Sequence, residues 1–210
     1  MKKLKILISL FLAATCMATA CGATNIDNPN KDMNNKKDKK NLVAYYSRRG
    51  MNYVNGNIVN LEVGNTEVVA GKIEALTGSD IFRIETIKIY PEDYNETTEV
   101  AQQEKNDNAR PALTATIPDM DEYEVIYLGY PIWWGTFPMA VYTFLESYDF
   151  TGKTIVPFCT HEGSGLGASI RDIKRALPDS DVMDALALKG SNVSSSDGQI
   201  EQWLKKNGMR

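Results

Sequence analysis

The chain has 210 residues, 43% of them hydrophobic, and a formal net charge of -4 at neutral pH. That length and apolar content fit one domain with a real core plus appendages, and the acidic balance argues against nucleic acid as a partner. The charge is uneven: lysines crowd the first forty residues, so the remainder is more acidic than the whole.

Residues 1–21, "MKKLKILISLFLAATCMATAC", open on lysines, continue through an apolar stretch from Ile6 to Ala14 and end in small residues. This is a signal-peptide pattern, too short for a spanning helix. Its end, "MATACG", resembles a bacterial lipoprotein signal: Ala18, Thr19 and Ala20 precede Cys21, and Gly22 follows. Ala18 stands where that class prefers Leu. The resemblance implies lipidation of Cys21 and an exported protein held at the cell membrane by a lipid anchor only. Simple secretion with cleavage nearby is the alternative, and Cys16 is the weaker lipidation site. Residues 22–40 are rich in Asn and Lys and read as a disordered basic tether. A single domain is expected over 41–210. Of the three cysteines, Cys159 alone lies in that domain. No disulfide framework is then available within it, and Cys159 ends an apolar run, as a buried small hydrophobe does.

From Asn41 the pattern alternates. "LVAYY" (42–46) reads as a buried strand. Residues 50–63 carry no assigned element. "GNTEVVAGKIEAL" (64–76) reads as a helix with Val69, Ile73 and Leu76 on one face. "DIFRIE" (80–85) is a strand, 92–107 a polar helix, and "EVIYLGY" (124–130) a central strand. A helix over 139–147, the strand "KTIVPFC" (153–159), a helix over 166–177, the strand "VMDALAL" (182–188) and a helix over 198–206 complete the chain. Five near-continuously apolar strands alternating with helices predict an α/β fold: a doubly wound, five-stranded parallel sheet of order 2-1-3-4-5, with helices on both faces. Pro157 is awkward inside such a sheet; it marks either a bulge or the strand's emerging end.

Ligands of doubly wound sheets bind beyond the strand C-termini at the switch point. Three loops lie there. The first runs from Ser47 through Arg48 and Arg49 to Gly64, Asn65 and Thr66. Its hydroxyls and helix N-terminus suit a phosphate, with the arginines as added charge; an ordinary helix cap is the plainer reading. The second, "PIWWG", places Trp133 and Trp134 side by side. They are either core and partner-surface residues or a platform for a flat ring. The third, "THEGSG", has Gly163 and Gly165, which let backbone N–H groups approach a ligand edge. Together the loops specify a ligand with a phosphate, an aromatic ring and a polar ring edge. Flavin mononucleotide (FMN) meets that description.

The chain resembles the flavodoxin family over about 41–204, on "YYS…GNT", "PIWWG" and "THEGSG". The resemblance implies FMN held non-covalently. Ser47, Asn65 and Thr66 match the phosphate loop, and the inserted stretch 50–63 leaves the place of Arg48 open. Pro131, Ile132, Trp133, Trp134 and Gly135 match the first flavin-flanking loop; Thr160, His161, Glu162, Gly163, Ser164 and Gly165 match the second, with Glu162 read as a solvated or loop-fixing carboxylate rather than a catalytic one. It also implies electron transfer to a redox partner protein or small acceptor. The alternatives are an NAD(P)H-dependent reductase of quinones or small acceptors, and a non-catalytic surface lipoprotein that binds a flavin or a partner. No G-x-G-x-x-G follows a strand, which favours the carrier. His161, the one histidine, is either a proton donor to the flavin or a loop residue held by backbone bonds. Tyr90, Pro91 and Tyr94 either cover the pocket or pack the crossing connection. No metal-ligand spacing occurs.

Overall fold

The computed structural model describes residues 39–210. The leader, Cys21 and nearly all of the tether lie outside the described residues. Strands β1 (Lys40–Tyr45), β4 (Asp80–Arg83), β5 (Tyr123–Pro131) and β6 (Thr154–His161) run parallel in the order β4-β1-β5-β6. The fifth position, beside β6, is shared by β7 (Asp181–Val182) and β8 (Leu186–Lys189). The expected α/β sheet and its order are therefore present. β1 begins at Lys40, so the strand takes the last residue read as tether.

Period-two alternation builds two cores. Leu42, Ala44, Ile126, Leu128, Tyr130 and Ile155 project to one face. There they meet Ala140, Val141, Phe144 and Leu145 of α3 (Met139–Glu146) and Ile173 of α4 (Ser169–Ala176). Val43, Tyr45, Tyr127, Val156 and Phe158 project to the other. They are covered by Val69, Ala70 and Ile73 of α1 (Asn65–Thr77) and by Ile200, Trp203 and Leu204 of α5 (Asp197–Lys206). Helix α2 (Tyr94–Asn106) starts where the Asp93 carboxylate accepts from the Asn95 and Glu96 N–H groups at 2.8 and 3.0 Å. Its mostly polar surface buries only Thr97 and Ala101.

Two features depart from the sequence reading. Residues 50–63, left without an element, contain the antiparallel hairpin β2 (Gly50–Val54) and β3 (Asn57–Leu61). Asn55 and Gly56 both have positive φ, 48° and 90°, as a two-residue hairpin turn requires. The second departure is the split fifth strand. The Met183 N–H donates to the Ile155 carbonyl at 2.9 Å, so odd-numbered β6 residues face this edge. Pro157 is the next on that side, and it has no N–H to give. The fifth strand is interrupted opposite it, between Val182 and Leu186. Pro157 is thus neither at a bulge nor at the strand's end; it sits mid-strand, facing a gap.

Helix α5 and its cap repair that gap. The Asp184 carbonyl accepts from Trp203 Nε1 at 2.7 Å and Asn207 Nδ2 at 3.1 Å, while the Asp184 N–H donates to Asn207 Oδ1 at 3.2 Å. Asn207 is buried, so water does not readily replace it. Asn207→Ala is expected to destabilise the protein by about 1–3 kcal/mol, the cost of unsatisfied buried groups, read as a lowered urea midpoint. An unchanged midpoint would show that Asp184 needs no partner.

Candidate functional site

The C-terminal ends of β1, β5 and β6 open on a cavity of about 420 Å³, within the range of small-molecule sites. Its first wall is the start of α1. Gly64 precedes the helix, and a Cβ there would overlap Ser47 Oγ and the Arg48 carbonyl. Ser47 is buried, and its Oγ accepts from the Glu67 N–H at 3.1 Å. Thr66 Oγ1 lies 2.8 Å from Thr160 Oγ1, a buried hydroxyl pair joining α1 to β6. The Asn65 and Thr66 N–H groups have no intrahelical acceptor, as first-turn donors, and both residues line the cavity.

Arg48 also lines the cavity, but its guanidinium is engaged elsewhere. Nη1 donates to the Met51 carbonyl; Nη2 donates to the Pro91 and Glu92 carbonyls at 2.8 and 2.7 Å. It clamps the hairpin base to the 91–93 loop. Arg49 is exposed and does not reach the lining.

The second wall answers the question of the paired tryptophans. Residues 133–136 form a tight turn: the Trp133 N–H donates to the Thr136 carbonyl at 2.7 Å, and the Thr136 N–H returns to Trp133 at 3.1 Å. Trp134 and Gly135 at its centre have φ of 49° and 82°. The turn splays the two indoles. Trp133 goes inward, edge-on to Tyr46 and Tyr90 with centroids 5.4 and 5.3 Å apart. Trp134 stays 47% exposed, and its Nε1 donates to the Thr98 carbonyl at 2.9 Å. Both line the cavity, with Pro131 and Ile132.

Thr160, His161 and Glu162 supply the third wall. His161 Nδ1 accepts from the Gly163 N–H at 3.0 Å, so the neutral ring carries its proton on Nε2. Burial lowers the His161 pKa below its ordinary value, the nearby Glu162 carboxylate opposes this, and Lys189 reinforces it. Gly163, Ser164 and Gly165 are not brought to the cavity, nor is Gly135. Gly135 serves the frame: its carbonyl accepts from the Ala168 N–H at 2.7 Å. Cys159 is buried beneath, with its thiol pushed up to about 12 by burial.

Of a fourth wall, only Tyr94 is a candidate from the sequence. It comprises Asn52 and Tyr53 of the hairpin and Tyr94, Thr97, Thr98 and Ala101 of α2. Tyr53 and Tyr94 stack, centroids 6.1 Å apart at 29°. Tyr94 covers the pocket, whereas Tyr90 packs under Trp133 and donates to Glu104 at 2.6 Å. The signal for the hairpin was present: Asn-Gly between alternating residues. Gly190, also on the lining, had none; a Cβ there would meet Asn65 and Glu162.

A family model described as flavodoxin matches residues 40–207. The chain belongs to the flavodoxin family. Among solved structures, a candidate flavoprotein from Bacteroides eggerthii is 30% identical with a TM-score of 0.67, and the match covers 81% of this chain and 99% of that one. A candidate flavoprotein from Bacteroides uniformis is 28% identical with a TM-score of 0.64, covering 80% and 99%. A Lactobacillus acidophilus flavoprotein, solved in complex with FMN, shares the fold at 19% identity and a TM-score of 0.54, covering 75% and 97%. No curated protein matches.

The state of His161 is open to direct measurement. As the sole histidine it gives one imidazole signal in a tag-free chain. Its NMR titration is expected to fall below pH 6.5, because burial disfavours the charged ring. Between that folded value and 6.5 the unfolded chain binds more protons. Its contribution to stability is therefore complete above 6.5 and declines as pH falls toward the folded value. A midpoint at or above 6.5 would contradict this.

Proposed function

We propose that this flavodoxin-family protein binds FMN non-covalently and transfers electrons through it. The observation that carries the reading is the phosphate end of the cavity: two first-turn N–H groups beside a buried hydroxyl pair, at the positive end of a helix dipole. The bound flavin supplies the redox chemistry, and the protein supplies binding and electrostatics. Asn65 and Thr66 would hold the phosphate with their N–H groups. The Thr66–Thr160 pair has one hydroxyl proton left over, directed by their mutual bond. Trp133, Trp134 and Tyr94 would enclose the ring, and the His161 Nε2–H would donate to its polar edge. Ser47 supports the helix start rather than the ligand, and Arg48 shapes the loop rather than supplying charge. The Lactobacillus acidophilus flavoprotein in complex with FMN supports the cofactor assignment by fold alone.

The site selects phosphate with neutral donors. Each hydrogen bond to a charged group contributes about 1.5–3 kcal/mol, so two of them predict at least about a hundredfold preference for FMN over riboflavin. Fluorescence titration of the apoprotein measures both. Thr66→Ala should lose part of the preference without weakening riboflavin, while Arg48→Ala should loosen both ligands alike. Equal affinity for the two flavins would overturn the phosphate site. Reversible bleaching of the yellow protein in an anaerobic reductive titration tests electron transfer itself.

We also propose, from residues 1–21, that the protein is exported and anchored through a lipidated Cys21. Cys21→Ser should then release it from the membrane fraction, and an intact Met1 on cytosolic protein would refute the anchor.

A further inference from the structure

The hairpin inserted at 50–63 is tied to the site at three points. At its base, Arg48 binds the Met51 carbonyl on one side and the Pro91 and Glu92 carbonyls on the other. In its middle, Tyr53 stacks on Tyr94. At its tip, the Asn55 N–H donates to Glu162 Oε2 at 3.2 Å. The third tie differs from the others, because it crosses from the loop after β1 to the end of β6. Both Glu162 and the hairpin line the cavity.

Glu162 is held for this purpose at some cost. Its Oε1 is buried without a hydrogen-bond partner. It fits there because position 190 is glycine; a Cβ would overlap both Glu162 Oε1 and Asn65 Nδ2. Asn65, Glu162 and Gly190 therefore converge where α1 begins, and the hairpin tip closes over the same corner. A single carboxylate thus joins the hairpin to the cavity's phosphate end, with one oxygen on the tip and the other facing inward.

We infer that the β2–β3 hairpin is a clasp over the flavin site, and that Glu162 is the positioning residue that latches it. This rests on the FMN reading above. A ligand seated between α1 and the hairpin leaves only when the tip swings away, and the Asn55–Glu162 bond must break first. The hairpin's tip has little else to hold it: Tyr53, Ile58 and Val59 are 41%, 43% and 39% exposed, and an isolated two-stranded hairpin is marginal in water. The latch therefore controls exchange in both directions and changes affinity less than it changes rates.

Two variants of the full chain separate latch from charge. Glu162→Ala removes acceptor and charge; Glu162→Gln removes the charge and keeps an acceptor. FMN association and dissociation are followed by stopped-flow flavin fluorescence. Loss of one charge-assisted bond predicts both rates rising about tenfold in Glu162→Ala, with Glu162→Gln near the parent. Hydrogen exchange of the Asn55 amide in the apoprotein is the ligand-free arm: protection should fall about tenfold in Glu162→Ala and be largely rescued in Glu162→Gln. Unchanged rates and protection in Glu162→Ala, or equal acceleration in both variants, would overturn the latch. A parent protein that takes up no FMN would instead refute the functional reading, and the exchange of Asn55 would still decide whether Glu162 holds the hairpin.

Discussion

The site exists because β1 and β5 are neighbours whose chains leave in opposite directions. From β1 the chain turns to α1, on the face shared with α5. From β5 it turns to α3, on the face shared with α4. Two connections that diverge at adjacent strand ends cannot cover the gap between them, so a crevice is left at the sheet's edge. The pairing that fixes this is the β1–β5 register, Leu42 against Ile126 through Tyr45 against Gly129. Slipping it by one residue would turn every core side chain to the wrong face. The cores of both faces thus specify the crevice, which the first core meets only through its partly buried Ile132 and Trp133.

What fills the rim follows from where donors remain. A helix start at a strand end leaves N–H groups without acceptors. Here Ser47 takes one, from Glu67, and Thr66 and Thr160 share a single hydroxyl hydrogen bond. Arg48 is consumed by carbonyls of two stretches of backbone, and Arg83, which reaches the Ser47 carbonyl at 3.4 Å, is paired with Glu67. The start of α1 consequently presents dipoles and hydroxyls beside a carboxylate, Glu162. An anion placed there would be held by short, directed bonds in a partly buried setting.

Most of the frame was legible because burial writes a period into the chain. The apolar runs at 42–46, 124–130 and 153–159 are buried on both faces, and the helices after them carry i, i+4 stripes. The three loops followed from topology, and ten of the fourteen cofactor-binding residues expected from them line one cavity. The differences are local. Gly163, Ser164 and Gly165 match a motif, yet a motif cannot say which of its residues face inward. The split of the fifth strand depends on Pro157, whose missing N–H acts on a neighbour across the sheet rather than along the chain. Arg48 was assigned by charge, and its carbonyl partners at 91–93 lie some forty positions away. Gly190 matters only through what approaches it.

Two turns at the rim have positive φ at both central residues, and they compare instructively. In the hairpin these are Asn55 and Gly56, residue types that enter the left-handed region readily. In the other they are Trp134 and Gly135. A bulky side chain in that region costs on the order of 1–3 kcal/mol, which an Asn in the same place would largely avoid. The strain is held by surrounding bonds: the reciprocal pair between Trp133 and Thr136, the Trp134 indole on the Thr98 carbonyl, and Lys105 on the Trp134 carbonyl. Of these bonds only the one to Thr98 uses the indole, and in the two cores it is Trp133, not Trp134, that packs against the first. A tryptophan kept 47% exposed in an unfavourable backbone region thus does two things: its indole ties the turn to α2, and it lines the cavity.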